Sequence, residues 1–412
     1  MDLWNTIAAL LGLTAGFAYL NHRWIRLPPS VGVMSVALSF SLGLLALQSM
    51  GIEVAEPIQS LVRQAHFDTT LLHGFLGFLL FAGALSVDLT ELRRNGWVVG
   101  ILATFGVVVS TLVVGFGTYW VMRWLEQPLP WQYCLLFGAL ISPTDPIAVL
   151  ALLKRLGAPK GLEIKIAGES LFNDGVGVTL FLLMLTLVGN GPTPSFTEGL
   201  ALLLKETLGG IAFGGFVGWL ALRLLRGVDQ YTVEILLTLA SVSGGFALAD
   251  IIGVSGPLAI VVAGLIIGQH GRVAMSTITR HHLDLFWHLL DEILNAILFV
   301  LIGLEVLVMH FHERYLGIVL ALLPVVLVAR LVSVGLPYGL LRRRWAFESD
   351  ALGVMVWGGL RGGLSVAMAL SLPAGGERDL LVAATYGIVV FGLLVQGSSL
   401  GWIVRAHLRP RT

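Results

Sequence analysis

Long apolar runs, each followed by a short polar connection, extend along the whole sequence. A helix needs about 20 apolar residues to cross the hydrocarbon core of a bilayer, and thirteen segments approach that length. They lie near residues 3–22, 31–50, 70–89, 96–124, 131–153, 163–189, 199–222, 231–251, 255–270, 283–309, 315–340, 350–372 and 379–404. The pattern predicts an all-α polytopic membrane protein with about 13 transmembrane helices.

Composition agrees with this interpretation. Of the 412 residues, 56% are hydrophobic and only 12% are Asp, Glu, Lys or Arg, whereas soluble proteins carry about 25% charged residues. The 25 basic and 25 acidic side chains cancel, so the charge balance gives no reason to expect nucleic acid as a partner. Cys134 is the only cysteine, which excludes an intrachain disulfide and a cysteine-based metal cluster. No motif predicts a cofactor.

The basic residues predict the orientation, because cytoplasmic connections are enriched in Lys and Arg. Connections on one side of the predicted bilayer hold 18 of the 25 Lys and Arg residues, and connections on the other side hold 5. The remaining two, Arg330 and Arg361, lie at depth in predicted spans, whereas Arg123, Lys165 and Lys205, nearer the ends of theirs, are counted with the adjoining connections. This asymmetry predicts a cytoplasmic C-terminus and, with thirteen spans, an N-terminus outside.

Two spans are interrupted in a way that a simple lipid-facing helix would not be. The fifth contains Pro143 and Pro146 on either side of Asp145, and prolines free backbone carbonyls. The twelfth has four glycines around Arg361, within residues 358–363. Spans four to six and eleven to thirteen therefore form two triplets of opposite orientation. This arrangement predicts an inverted repeat whose two broken helices cross at mid-membrane.

The sixth span gathers polar residues at bilayer depth, where each ionisable group costs roughly 2.5–3.5 kcal/mol and is functional by default. Ser170 and Asp174 are four residues apart and share one helical face, and Glu169 and Asn173 share the adjacent face. For Glu169 we favour a structural role, paired with one of the two basic residues at depth, Arg330 or Arg361.

Oxygen atoms, the ligands that hard cations prefer, are supplied by the fifth and sixth spans together. They come from Asp174, Ser170, Asp145 and the carbonyls freed around Thr144. A carboxylate in a low-dielectric cavity is costly to ionise, so a proton and a cation compete for Asp174. The alternative, that both Asp residues only cap or pair within the bundle, is disfavoured by their interrupted or glycine-flanked helices.

Other polar residues receive simpler interpretations. Phe286 and Trp287 in the tenth span are expected to form an interfacial aromatic anchor, and Asp291 to sit near a helix end. Solvated charges are expected near three predicted helix termini, at Glu234, Asp250 and Glu305.

These motifs resemble those of the monovalent cation:proton antiporter-1 family, in its bacterial NhaP-type branch. The resemblance rests on residues 142–146, 168–175 and 360–362, and on Phe286-Trp287 with Asp291 and Asn295. It implies that Asp174 is the exchange carboxylate, with Asn173 beside it. The implied Na⁺ ligands are Asp174, Ser170 and the Thr144 carbonyl, with Asp145 acting directly or through water. Glu169 would pair with Arg330, and Arg361 would lie in the broken twelfth span.

The resemblance also implies a secondary active transporter, and not an enzyme, in the bacterial inner membrane. It would be a homodimer that works by an elevator-like step. Residues 1–94 and 199–312 would form the dimerisation domain, and residues 95–198 and 313–412 the mobile core. Asn173, in place of a second acidic residue, implies electroneutral exchange. Ala82 stands where some relatives carry an acidic ligand, which leaves the choice of Na⁺, Li⁺ or K⁺ open.

Four other functions share some of these sequence features. A K⁺/H⁺ antiporter or an organic-anion transporter has the same fold class. An intramembrane aspartyl protease also uses two membrane Asp residues, but Phe172-Asn173 before Asp174 departs from the Tyr-Asp pattern of those enzymes. A channel is disfavoured, because inverted broken helices indicate alternating access.

Overall fold

The computed structural model describes residues 3–52, 54–188, 196–271, 275–309, 313–341 and 351–407. All regular secondary structure in these ranges is helical, which confirms the predicted fold class. The helices, numbered along the chain, are α1 Leu3–Leu20, α2 Pro29–Ser49, α3 Glu56–Ala65, α4 Phe67–Ser86, α5 Leu89–Ala103, α6 Phe105–Trp124, α7 Trp131–Ile141, α8 Ile147–Leu156, α9 Lys160–Val188, α10 Phe196–Leu225, α11 Tyr231–Ile252, α12 Gly256–Gly271, α13 Thr277–Glu305, α14 Glu313–Leu341, α15 Ala351–Trp357, α16 Gly363–Leu370 and α17 Gly376–Ala406.

Each predicted span has a counterpart among these helices. The fourth span corresponds to α5 and α6 together, the fifth to α7 and α8, and the twelfth to α15 and α16. Nine helical segments in the described ranges are long and apolar enough to cross a bilayer. The predicted start of the twelfth span, at residue 350, lies outside the described residues. So do six of the basic residues used to predict the orientation: Arg272, Arg342, Arg343, Arg344, Arg409 and Arg411.

Helix α3 was not predicted. It is a ten-residue connecting helix whose buried positions are Leu61, Val62 and Ala65. Its polar residues lower its mean hydropathy, so a search for long apolar runs passes over it.

The outer surface of the bundle is apolar and its interior holds polar groups. Phe116, Leu236 and Leu320 are about 60% exposed, at 61%, 59% and 59%, whereas Glu169 and Asn173 are buried. A water-soluble protein shows the opposite arrangement. The distribution is the one expected for helices that face lipid and enclose a polar site.

Glycines allow the close helix contacts that position the broken span. A Cβ at Gly138 of α7 would overlap the Thr111 carbonyl oxygen of α6. A Cβ at Gly177 of α9 would overlap the Pro143 ring. Small residues at such contacts let membrane helices approach through their backbones, and here they hold the break after α7 against its neighbours.

The interpretation of Trp287 as an interfacial anchor was wrong. Its side chain is 1% exposed, its ring centroid lies 4.5 Å from that of Phe81, and its Nε1 donates a hydrogen bond to Thr238 Oγ1 at 3.1 Å. Helix α13 begins at Thr277 and not near residue 283, which places Trp287 about 15 Å along the helix at 1.5 Å per residue.

The expectation of solvated charges at helix termini also fails in part. Asp250 is exposed, but Glu234 and Glu305 are buried, at 0% and 5% exposure. Sequence gives the end of a helix without showing which neighbour covers it. Glu305 lines a cavity of about 450 Å³ together with His66 and Arg378.

Candidate ion-binding site

The two broken helices meet at their interruptions. After α7, residues 142–146 leave the helix, and after α15, residues 358–362 do the same. The backbone N–H of Asp145 donates a hydrogen bond to the carbonyl oxygen of Leu360 at 2.8 Å. Each non-helical segment therefore supplies a hydrogen-bond partner for a backbone group of the other. Backbone polar groups in apolar surroundings require such partners.

Arg361 lies within this crossing and is 2% exposed. Its Nη1 donates hydrogen bonds to the carbonyl oxygens of Ser142 at 2.5 Å and Pro143 at 3.0 Å. These carbonyls directly follow the C-terminal end of α7, where the helix dipole places partial negative charge. The guanidinium thus stabilises the helix end that the break leaves without backbone donors.

The carboxylate of Asp145 lies at helix N-termini, unlike the Arg361 guanidinium, which lies at the C-terminal end of α7. Its Oδ1 accepts a hydrogen bond from the Ile147 backbone N–H at 2.9 Å, at the start of α8. A Cβ built on Gly362, just before α16, would stand 2.5 Å from Asp145 Oδ2. Two helix N-termini, each with partial positive charge, therefore face this carboxylate and stabilise a negative charge there.

Glu169 and Arg330 form a bidentate ion pair in the protein interior. Arg330 Nη1 contacts Glu169 Oε1, and Arg330 Nη2 donates to Glu169 Oε2 at 3.1 Å. The same guanidinium donates to the carbonyl oxygen of Met355 from Nε at 3.2 Å and from Nη2 at 3.0 Å. Arg330 therefore joins α9, α14 and α15. Arg361, the other partner considered from sequence, is directed to α7 instead.

Asn173 clamps the interrupted fifth span to α9. Its Nδ2 donates to Thr144 Oγ1 at 2.8 Å, and its Oδ1 accepts from the Thr144 backbone N–H at 3.3 Å. Thr144 Oγ1 also lies 3.1 Å from Ser170 Oγ. All three residues are buried. The amide uses both its donor and its acceptor on one residue, so it fixes the backbone next to Asp145.

Asp174 follows Asn173 and is half-buried. It lies one helical turn from Ser170 on the same face, and its charge interacts with that of Asp145. The next residue, Gly175, packs so closely that a Cβ there would stand 2.6 Å from Leu258 Cδ2. This contact packs α9 tightly against α12 beside Asp174.

The predicted site residues thus lie on one short stretch of α9, on the two breaks and, in the case of Arg330, on α14. The structure joins Thr144, Asn173 and Ser170, and separately joins Glu169 and Arg330. Sequence reasoning missed the Met355 carbonyl as an acceptor for Arg330, and no residue-type pattern could have indicated a backbone oxygen. It also undervalued Asp291, whose charge interacts with that of Asp145.

The chain is similar to known proteins along almost its whole length. A family model described as "Sodium/hydrogen exchanger, transmembrane" matches residues 9–406. The Na(+)/H(+) antiporter NhaP of Pseudomonas aeruginosa is 49% identical over 97% of this chain and 96% of its own length. The Na(+)/H(+) antiporter NhaH of Halobacillus dabanensis is 31% identical over 98% of each chain.

The fold has a counterpart among solved structures. The sodium proton antiporter MjNhaP1 from Methanocaldococcus jannaschii, at pH 8, superposes with a TM-score of 0.76. The match covers 99% of this chain and 100% of that one at 20% sequence identity. At that identity the likeness concerns the fold.

Proposed function

Because the chain belongs to the transmembrane sodium/hydrogen exchanger family, we propose that it is a secondary active transporter that exchanges Na⁺ for H⁺. The observation that carries this proposal is the position of Asp174. It is a half-buried carboxylate that directly follows Asn173, the residue that holds Thr144 next to Asp145 at the crossing of the two broken helices. Discontinuous helices with an intramembrane carboxylate are the architecture of ion-coupled transporters.

In this mechanism Asp174 holds either a proton or a cation. Na⁺ would be bound by Asp174, Ser170 and the Thr144 carbonyl, with Asp145 contributing directly or through water. Such oxygen donors suit a hard monovalent cation. Binding of Na⁺ displaces the proton, because both need the same carboxylate oxygens. The occupied site then opens to the other side of the membrane.

We propose that the exchange is electroneutral, one proton for one monovalent cation. Asn173 supports this stoichiometry, because its amide holds Thr144 and has no proton to release at neutral pH. Asp145 lies at two helix N-termini, where it can stay ionised through the cycle. Asp174 is then the one carboxylate of the site that releases a proton when a monovalent cation binds.

The moving part is proposed to be a core domain of residues 95–198 and 313–412. Contacts in the site support this division, because Asp145–Leu360, Arg361–Ser142 and Arg330–Glu169 each join the first segment to the second. A core tied together in this way can move as one body in an elevator-like step. Residues 1–94 and 199–312 would be the scaffold through which a homodimer forms, which mass measurement of the detergent-solubilised protein tests.

The orientation belongs to the same proposal. The excess of basic residues on one side supports a cytoplasmic C-terminus and an N-terminus outside, in a bacterial inner membrane. Labelling of single cysteines introduced near each terminus, in a Cys134→Ser background, tests the two sides separately.

Substrate choice is tested with proteoliposomes that hold a pH gradient. Addition of Na⁺, Li⁺ and K⁺ in turn gives the ion preference, and K⁺ is the substrate of the nearest alternative function. Organic-anion transport is the second candidate, favoured by one observation. Nε and Nη2 of the buried Arg361 have no hydrogen-bond partner among the described residues. Uptake of a labelled carboxylate without cation-driven proton movement would select that candidate.

A further inference from the structure

Helix α13 presents a polar face to the crossing. Asp291, Asn295 and Leu298 are spaced four and three residues apart, so they share one side of the helix. Leu298 Cδ1 lies 2.5 Å from the Cβ position of Gly363. The Cβ position of the preceding residue, Gly362, lies 2.5 Å from Asp145 Oδ2. The face that carries Asp291 and Asn295 therefore leads directly to the site around Asp145.

The two polar residues on this face are joined to each other. Asn295 Nδ2 donates a hydrogen bond to Asp291 Oδ1 at 3.1 Å, and Asn295 is 5% exposed. Its Oδ1 is buried and has no hydrogen-bond partner among the described residues. Because the amide nitrogen is used by a carboxylate, the amide oxygen is fixed as an acceptor. A buried acceptor without a donor costs free energy unless something else binds it.

The charges around Asp291 give it no structural partner. His288 and Glu292 lie next to it on α13, but their side chains are 67% and 63% exposed and form a pair with each other at 3.5 Å. Phe78 and Phe81 of α4 place their aromatic rings against Trp287, one helical turn before Asp291. Asp291 has no ion-pair partner within the described ranges, and its charge interacts with that of Asp145.

The position of Asp291 along α13 indicates on which side of the crossing it lies. Asp291 precedes Leu298 by seven residues, about 10 Å at 1.5 Å per residue, toward the N-terminal end of α13. That end follows the basic connection predicted to be cytoplasmic. Asp291 and Asn295 therefore stand between the cytoplasmic surface and the crossing.

We propose that Asp291 and Asn295 form a second cation site, which a monovalent cation occupies on its way between the cytoplasm and Asp174. The donors are the Asp291 carboxylate and the Asn295 amide oxygen, and hard cations prefer such oxygen ligands. A carboxylate also raises the local concentration of cations around it. This inference rests on the proposed exchange function and adds a site to it.

Everted membrane vesicles test the proposal, because they expose the cytoplasmic face to the added cation. In Asp291→Asn we expect the KM for Na⁺ to rise about tenfold, the lower end of the enrichment that charged clefts give, with the maximal rate close to that of the parent. Asp291→Glu keeps the charge and should restore most of the affinity. Glu292→Gln is the matched control, since it removes a neighbouring charge that is exposed, and its KM should equal the parent value.

The outcomes separate the possible failures. A parent protein without cation-driven proton movement would remove the proposed function itself. A parent that exchanges, with an unchanged KM in Asp291→Asn, would overturn the second site alone. A lower maximal rate at constant KM in Asp291→Asn would also overturn the second site, because it indicates a structural role. An equal rise in KM in Glu292→Gln would overturn it as well.

A binding measurement gives a readout that does not depend on transport. In Asp174→Asn the main site is disabled, and we expect NaCl still to raise the Tm in detergent above the effect of choline chloride at equal ionic strength. The double variant Asp174→Asn/Asp291→Asn should lose that difference. If Asp291→Asn does not fold, Asn295→Ala in the same Asp174→Asn background removes the amide ligand and should have the same effect. Persistence of the Na⁺ effect in either double variant would contradict the proposal.

Discussion

The backbone N–H of Asp145 donates a hydrogen bond to the carbonyl oxygen of Leu360 at 2.8 Å, and this bond joins the two broken helices at their crossing. The contact is possible because each segment has left its helix, one at prolines and the other at glycines. It leaves the Asp145 carboxylate free to cap α8 and to face Asp174. The arrangement of the site therefore depends on backbone geometry as much as on its acidic residues.

Gly362→Ala should damage this crossing. A Cβ at that position would stand 2.5 Å from Asp145 Oδ2 and 2.6 Å from Asp145 Cβ, closer than van der Waals contact allows. We expect a loss of about 1–3 kcal/mol in stability, typical of overpacking, together with a large loss of exchange. Gly244→Ala is the control, because nothing lies within 4 Å of its Cβ position. Equal thermal stability and exchange in the two variants would contradict this account of the crossing.

Neutralising Glu169 should destabilise the protein more than neutralising Asp174. Glu169→Ala leaves the Arg330 guanidinium buried and uncompensated, which costs roughly 3–5 kcal/mol in soluble precedents, whereas Asp174 is half-buried and not part of an ion pair with Arg330. Thermal unfolding in detergent gives the comparison. The double variant Glu169→Leu/Arg330→Met removes both charges and should recover part of the lost stability. A Glu169→Ala protein as stable as the parent would show that the pair does not stabilise the fold.

The stoichiometry can be measured with membrane potential as the variable. If one proton exchanges for one monovalent cation, Na⁺-driven proton flux should not depend on a potential clamped with K⁺ and valinomycin, once K⁺ is shown not to be a substrate. An electrogenic cycle would respond by about 2.3 kcal/mol per charge per 100 mV. A steep dependence on potential would mean that a second carboxylate, with Asp145 the first candidate, also carries a proton.

Asn173→Asp tests the clamp that the Asn173 amide forms on Thr144. The aspartate can accept from the Thr144 backbone N–H but, when ionised, cannot donate to Thr144 Oγ1 as Nδ2 does now at 2.8 Å. We expect slower exchange, because the clamp on residue 144 is weakened. Asn173→Ala, which removes the clamp without adding a titratable group, is the matched control. Unchanged rates in both variants would show that the clamp is dispensable.

Much of the architecture was predictable because lipid imposes simple rules. Apolar runs of sufficient length mark the spans, and Pro143, Pro146 and the glycines around Arg361 mark the breaks. The partner of Glu169 was limited to two candidates, since Arg330 and Arg361 are the basic residues predicted to lie at bilayer depth. The structure separates them by position, placing Arg330 against Glu169 and Arg361 against α7.

What sequence could not give is the identity of the neighbours. Trp287 and Glu305 lie near the ends of a predicted span, yet both are buried, because other helices cover them. Hydropathy describes one helix at a time and contains no information on tertiary contacts. For the same reason Asp291 was interpreted as a residue near a helix end, although its face of α13 leads to Asp145.

The central claim is that Asp174 exchanges one cation for a proton, and one measurement tests it most directly. The parent protein and Asp174→Asn are reconstituted at equal amounts in proteoliposomes with an imposed pH gradient, and its dissipation on addition of Na⁺ is recorded. Asp250→Asn, at an exposed acidic residue, serves as the control. The account predicts dissipation by the parent and the control and none by Asp174→Asn, which should remain folded and inserted. Substantial Na⁺-driven proton flux through Asp174→Asn would contradict it.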